Sequence, residues 1–96
     1  LSLHDALPIL IKKKGHKEEF NISKVRQSIL NASNEINQTL SDSDLNVIEK
    51  EVLKKLTLLN REITSSYEVF SIVLYALKEL GFNKVGDAYF KGSIEF

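Results

Sequence analysis

The stretch IKKKGHKEEFNISKV, residues 11–25, decides how this chain is read. Ile9-Leu10-Ile11 leads into Lys12-Lys13-Lys14, Gly15-His16 turns the chain, and Lys17 to Phe20 returns. Gly15 can take the positive φ that a tight hairpin turn needs. A β-hairpin is therefore expected over residues 9–21. A lone hairpin is marginal in water, so it must lie on helices or gain a third strand. Past Phe20 the period changes. Ile22, Val25, Ile29, Ala32 and Ile36 form one apolar stripe at helical spacing. Asn21 stands where an N-cap belongs, because its side chain can accept from the free amides of a first turn. This helix is expected to end near Asn34 to Asn37.

Three more helices follow by the same logic. Ser41-Asp42-Ser43-Asp44 reads as an acidic capping box. Leu45, Ile48, Val52, Leu56 and Leu59 supply the apolar face behind it, with Glu51 and Lys55 paired one turn apart on the outside. A third helix starts near Thr64-Ser65, with Ser65 and Glu68 as a second capping box. Phe70, Val73, Leu74, Leu77 and Leu80 form its buried face, and Gly81 stands at C′. A shorter last helix runs from about Asn83 to Lys91 and carries Val85, Ala88 and Tyr89; Gly92 weakens it. Tyr67, Tyr75 and Phe82 are expected in the core, as aromatics at helical spacing usually are. The expected fold is α+β: a small β-hairpin or three-stranded sheet capping an antiparallel four-helix bundle.

Residues 1–9 do not fit this pattern and read as a non-native or disordered N-terminal extension, leaving one domain over residues 10–96. The 96 residues suit a single domain with one modest core. There is no Cys, which removes disulfides, a zinc ribbon and thiol chemistry and suits a cytoplasmic location. No apolar run reaches membrane-spanning length.

Thirteen basic residues balance thirteen acidic ones, unlike the basic excess of a general nucleic-acid binder. The charge is unevenly placed. Six basic and two acidic residues lie between Lys12 and Arg26, while acids dominate from Asp42 to Glu51. One basic site on a neutral body suits a small anion better than a duplex. Alternation sends Lys12 and Lys14 to one face of the hairpin and Lys13 to the other. Lys24 falls in the first turn of the following helix, and ammonium groups beside a helix N-terminus favour phosphate. The competing reading is a solvated edge strand whose lysines prevent aggregation. No Walker A loop or Gly-x-Gly-x-x-Gly run is present, and neither His4 nor His16 has a partner for metal or triad chemistry. A catalytic site is not expected.

Ile11-Lys12-Lys13-Lys14-Gly15, then Glu18, Phe20-Asn21 and Lys24-Val25, resembles the opening of the ATP-cone domain. Ile63-Thr64-Ser65-Ser66-Tyr67 is similar to that family's mid-domain helix start, and Ala88-Tyr89-Phe90-Lys91 to its closing segment. The resemblance covers about Ile9 to Phe96. It implies a regulatory module of the kind found in ribonucleotide reductases and in the repressor of their genes, where ATP and dATP compete and shift oligomeric state. It further implies that Lys12, Lys13 and Lys24 contact phosphate or ribose, with Glu18 and Asn21 approaching the nucleotide. Thr64 would lie near the base, and Lys91 is a weaker phosphate candidate. Glu68 falls where some cones carry a histidine. Lys13 replaces the usual Arg, trading a bidentate fork for a point charge, and Lys14 replaces the usual Asp.

The expectation is a stand-alone sensor of ATP or dATP, with Mg²⁺, acting on a second copy or on a reductase- or repressor-type partner, and touching neither nucleic acid nor membrane. The alternative is a degenerate cone that serves as a protein–protein module without nucleotide.

Overall fold

The computed structural model describes residues 10–13 and 15–94, without the side chains of Leu10, Lys13, Ser93 and Ile94. The proposed extension, residues 1–9, lies outside the described residues. Strands β1 (Leu10–Lys13) and β2 (His16–Glu19) are followed by helices α1 (Ile22–Glu35) and α2 (Asp42–Leu59). Strand β3 (Ile63–Ser65) then leads directly into α3 (Ser66–Glu79), and α4 (Asn83–Ile94) closes the order. This is the expected α+β fold, in its three-stranded form.

The sheet runs β2-β1-β3 and is mixed. β1 pairs antiparallel with β2, Ile11 opposite Glu18 and Lys12 opposite Lys17. It pairs parallel with β3, Ile11 opposite Thr64 and Lys12 opposite Ser65. Gly15 holds the turn at φ +86°. Ile11 is buried while Lys12 is exposed, so alternation along β1 turns one face to the helices.

The starts of α1, α2 and α3 are each satisfied by a local side chain. Asn21 Oδ1 accepts from the Ser23 N–H at 2.9 Å. Ser41 and Asp44 form the full reciprocal box, each side chain accepting from the other's backbone N–H at 3.1 Å. The second box is only half made. Ser65 Oγ accepts from the Glu68 N–H at 3.1 Å, but the Glu68 carboxylate turns instead to Thr64 and Arg61. Helix α2 ends on Asn60 at φ 53°, and Gly81 follows α3 at φ +90°.

One cluster unites Val25 and Ile29 of α1 with Leu45, Ile48, Val52 and Leu56 of α2, together with the inner faces of α3 and α4. Ile11 joins it from the sheet. Helix α3 packs against both α2 and α4, and α4 packs against α1. The buried face of α3 is Val69, Val73, Ala76 and Leu77. That stripe is rotated from the expected one: Phe70, Leu74 and Leu80 are half-buried. Phe70 is drawn to α4, where its ring stacks on Tyr89 with centroids 5.2 Å apart. Tyr67 and Tyr75, expected in the core, are 84% and 66% exposed, because they fall on the helix face opposite Val73 and Leu77. Phe82 is half-buried against the core. Helix α4 continues through Gly92 to Ile94, past the expected end at Lys91.

Ion pairs tie the helices together at their edges. Arg26 reaches from α1 to Glu49 at 3.0 Å and Asp42 at 3.2 Å on α2. The hydrogen bond that Arg26 donates to Glu49 leads the causes that raise its pKa, so the guanidinium stays charged. Lys55 joins Glu79 of α3 at 3.0 Å and Glu51 at 3.7 Å. Its pKa is raised too, chiefly by Glu79.

Candidate functional site

A cavity of about 160 Å³ opens where the hairpin, the first turns of α1 and α3, and α4 meet. Glu18, Asn21 and Lys24 line it from the hairpin and α1; Ser66, Val69 and Phe70 line it from α3; Tyr89 closes it from α4. Three of the sequence-predicted residues are thus brought to one wall, although they come from a strand, a cap and a helix.

The start of α1 differs from the other capped starts. Helix α2 carries Asp42 and Asp44 in its first turn, and α3 carries Glu68. Helix α1 has no acid there and presents Lys24 instead. A cation at a helix N-terminus opposes the macrodipole by ~0.3–1 kcal/mol. Local helix stability therefore argues against Lys24 at this position, while an anion held between the amides and the ammonium would reward it. Asn21 uses its side-chain oxygen as the cap, which leaves its NH₂ group as a donor for a ligand. Glu18 lies 3.8 Å from Lys24 and 3.6 Å from His16. Its carboxylate suits a hydroxyl donor or a cation carried by the ligand rather than a bare phosphate.

The remaining predicted residues take other places. Lys12 is exposed, opposite Lys17 on one neighbouring strand and Ser65 on the other, and is not on the cavity wall. Like charges opposite one another cost stability in a sheet, so this lysine pair is not there to hold the hairpin. Lys13 stands in β1 opposite His16. Thr64 is buried beside Ile11, and its hydroxyl donates to the Glu68 carboxylate. Glu68 also accepts from Arg61 Nη1 at 3.0 and 3.1 Å. Lys91 lines a separate groove, with Ile36, Asn37 and Gln38 at the far end of α1.

The sequence reading did not single out Ser66, Phe70 and Tyr89 as wall residues. Their signal was masked because helical periodicity assigns apolar and aromatic residues to the core by default. Burial raises the Tyr89 pKa to about 12, so the phenol remains a neutral hydrogen-bond donor at physiological pH. Arg26 was counted in the basic cluster, but the structure commits it to α2. Among the described residues, no cluster of His, Cys, Asp and Glu is placed to hold a metal ion, and no helix is long and apolar enough to cross a membrane.

The architecture is thus a mixed three-stranded sheet on a four-helix bundle, with a cation at an acid-free helix start beside a cleft of mixed lining. The family comparison makes this specific: the model of the ATP cone domain matches residues 8–91, and the chain belongs to that family. ATP cones are nucleotide-binding regulatory domains that take ATP or dATP. No curated protein and no solved structure matches the chain.

Proposed function

We propose that this domain senses ATP or dATP at the cavity between the hairpin and the starts of α1 and α3, and passes the signal to a partner protein. The observation that carries this reading is Lys24 in the acid-free first turn of α1, beside Asn21 and above an aromatic wall. The cavity is smaller than the ~300–1,000 Å³ of whole-ligand pockets. It suits the base and sugar, with the triphosphate running over the α1 start toward Lys12 and Lys13. Thr64 and Glu68 flank the base, and Lys91 is a more distant phosphate contact. Mg²⁺ arrives on the phosphates, the usual mode for this ion.

The module spans residues 10–96, acts without catalysis and works in the cytoplasm. Its partner is a second copy or a protein of ribonucleotide reduction or its control. Binding shifts a partner only as far as nucleotide affinity differs between the two states. Exposed Tyr67 and Tyr75 on α3 favour a second reading, a cone that binds protein without nucleotide.

Isothermal titration with ATP, dATP, ADP and GTP, each with Mg²⁺ and with EDTA, tests the proposal. Saturable binding of ATP or dATP is expected. Heats no different from dilution for every nucleotide at millimolar concentration would leave the protein-binding reading.

A further inference from the structure

We propose that the groove between the C-terminal end of α1 and helix α4 is the docking site for an acidic segment of a partner protein, an extended stretch with an apolar side chain between two carboxylates. The inference rests only on the reading that the domain acts on a partner protein. The groove measures about 560 Å³. Ile36, Asn37 and Gln38 line it from the end of α1; Lys84, Asp87, Ala88 and Lys91 line it from α4. It shares no lining residue with the cavity at the hairpin.

Two cations in this groove are uncommitted. Lys84 and Lys91 are seven residues apart, so two turns of α4 bring them to one side of the helix, about 10 Å apart along its axis. Asp87 stands between them, but its carboxylate goes to Lys78 of α3. Among the described residues no acid pairs with Lys84 or Lys91, whereas Arg26 is held by Glu49, Lys55 by Glu79 and Arg61 by Glu68. Across the groove, Asn37 and Gln38 direct their backbone N–H groups to Asn34 and Ser33, which closes the end of α1. Their side-chain amides have no partner among the described residues and add N–H donors. Ile36, the C-cap of α1, is 39% exposed and with Ala88 forms the apolar part of the lining.

This mixture selects the occupant. Separated cations around an apolar middle match separated carboxylates around an apolar side chain. A phosphate chain concentrates its charge, so it would meet the Asp87 carboxylate and leave Ile36 uncovered. A duplex needs a basic surface that this charge-balanced chain lacks. A second copy brings no free acidic run: within residues 42–51, Asp42 and Glu49 hold Arg26, Asp44 closes the capping box and Glu51 faces Lys55. Along an extended chain alternate side chains share a face. Acid, apolar and acid at every second position then span ~13 Å, within reach of two long lysine side chains rooted ~10 Å apart.

The test is a ¹H–¹⁵N correlation titration, without nucleotide, with a synthetic peptide bearing glutamate at its first and fifth positions, leucine at the third and serine between. Saturating shift changes should gather at residues 36–38 and 84–91. Lys84→Glu should raise the peptide Kd at least about fivefold, and serine in place of the leucine should raise it about as much. The variant should stay folded, because an acid in the first turn of α4 suits the helix dipole. Lysine in place of one glutamate should restore peptide binding to it. Affinity that ignores both changes, shifts centred on the hairpin, or no shifts at millimolar peptide would overturn the proposal. The same shifts from inorganic tripolyphosphate at lower concentration would make the groove a phosphate site, and groove shifts on concentrating the protein alone would give it to a second copy; either overturns the proposal. Failure of ATP to bind in a separate titration would end the sensor reading and leave this one standing.

Discussion

Replacing Lys24 with Ala should separate the function of the α1 start from its stability. Two folded-state effects oppose each other. Removing a cation from the first turn relieves ~0.3–1 kcal/mol of macrodipole repulsion. Removing the exposed ion pair to Glu18, at 3.8 Å, forfeits ~0–1 kcal/mol. The apo domain should therefore melt within about 8 °C of wild type, given that 1 kcal/mol moves Tm by roughly 4–8 °C in a domain this small. The liganded state should behave differently. Nucleotide at 100 times its Kd stabilises by about 2.7 kcal/mol. Losing a charge-assisted contact worth about 2 kcal/mol weakens binding roughly 30-fold, which leaves [L]/Kd near ~3 and a stabilisation of about 0.9 kcal/mol. Differential scanning fluorimetry with and without ATP and Mg²⁺ reads both quantities. Wild type should gain about 11–22 °C and the variant about 3–7 °C at the same nucleotide concentration. An unchanged ligand-induced shift would refute the role of Lys24. A large fall in the apo Tm would refute the account of why this lysine is locally unfavourable.

Other perturbations test the scaffold. Leu56 is almost fully buried in the core, so Leu56→Ala should cost about 2–5 kcal/mol in urea denaturation; a loss below ~1 kcal/mol would contradict the packing. Ser41→Ala removes one half of the complete capping box of α2 and should cost about 1 kcal/mol, read as a Tm fall of roughly 4–8 °C. Burial pushes the pKa of the Tyr89 phenol up to about 12, from 10.0 for a solvated tyrosine. The folded state therefore holds a proton that the unfolded state releases, and this contribution is present below the unfolded pKa. Stability should fall by about 1.4 kcal/mol per pH unit as the pH rises through that window, relative to Tyr89→Phe. Parallel urea midpoints for the two proteins across that range would contradict the burial of the phenol.

The helix starts were legible because capping is local: Asn21 and Ser41 sit within three residues of the amides they satisfy. The stripes of α1 and α2 were legible for the same reason, since Val25, Ile29, Leu45, Ile48, Val52 and Leu56 repeat at helical spacing and are buried. Strand β3 was not visible as a strand. It is three residues long and is defined by a partner, β1, some fifty residues earlier. The rotation of α3 was hidden because Phe70 and Tyr89 choose each other across two helices. Period alone cannot weigh that pairing against burial of the smaller Val69 and Ala76. Ile36, expected in the α1 stripe, caps the helix end and is exposed. At the cavity, Glu18, Asn21 and Lys24, grouped beforehand by the resemblance to the ATP cone, share a wall because one hairpin feeds one helix. Ser66 and Tyr89 reach the same cleft only through the tertiary fold. The engagement of Thr64 by Glu68 needed the strand-to-helix junction at Ser65 and Ser66 to be placed.

The proposed sensor holds its nucleotide where the hairpin meets the starts of α1 and α3. Its most direct test is a ¹H–¹⁵N correlation titration of the domain with ATP and Mg²⁺. Shift changes should cluster at Glu18 to Lys24, Thr64 to Phe70 and Tyr89, and saturate with nucleotide. No change at millimolar ATP, or changes confined to the groove around Lys84, Asp87 and Lys91 at the far end of α1, would contradict it.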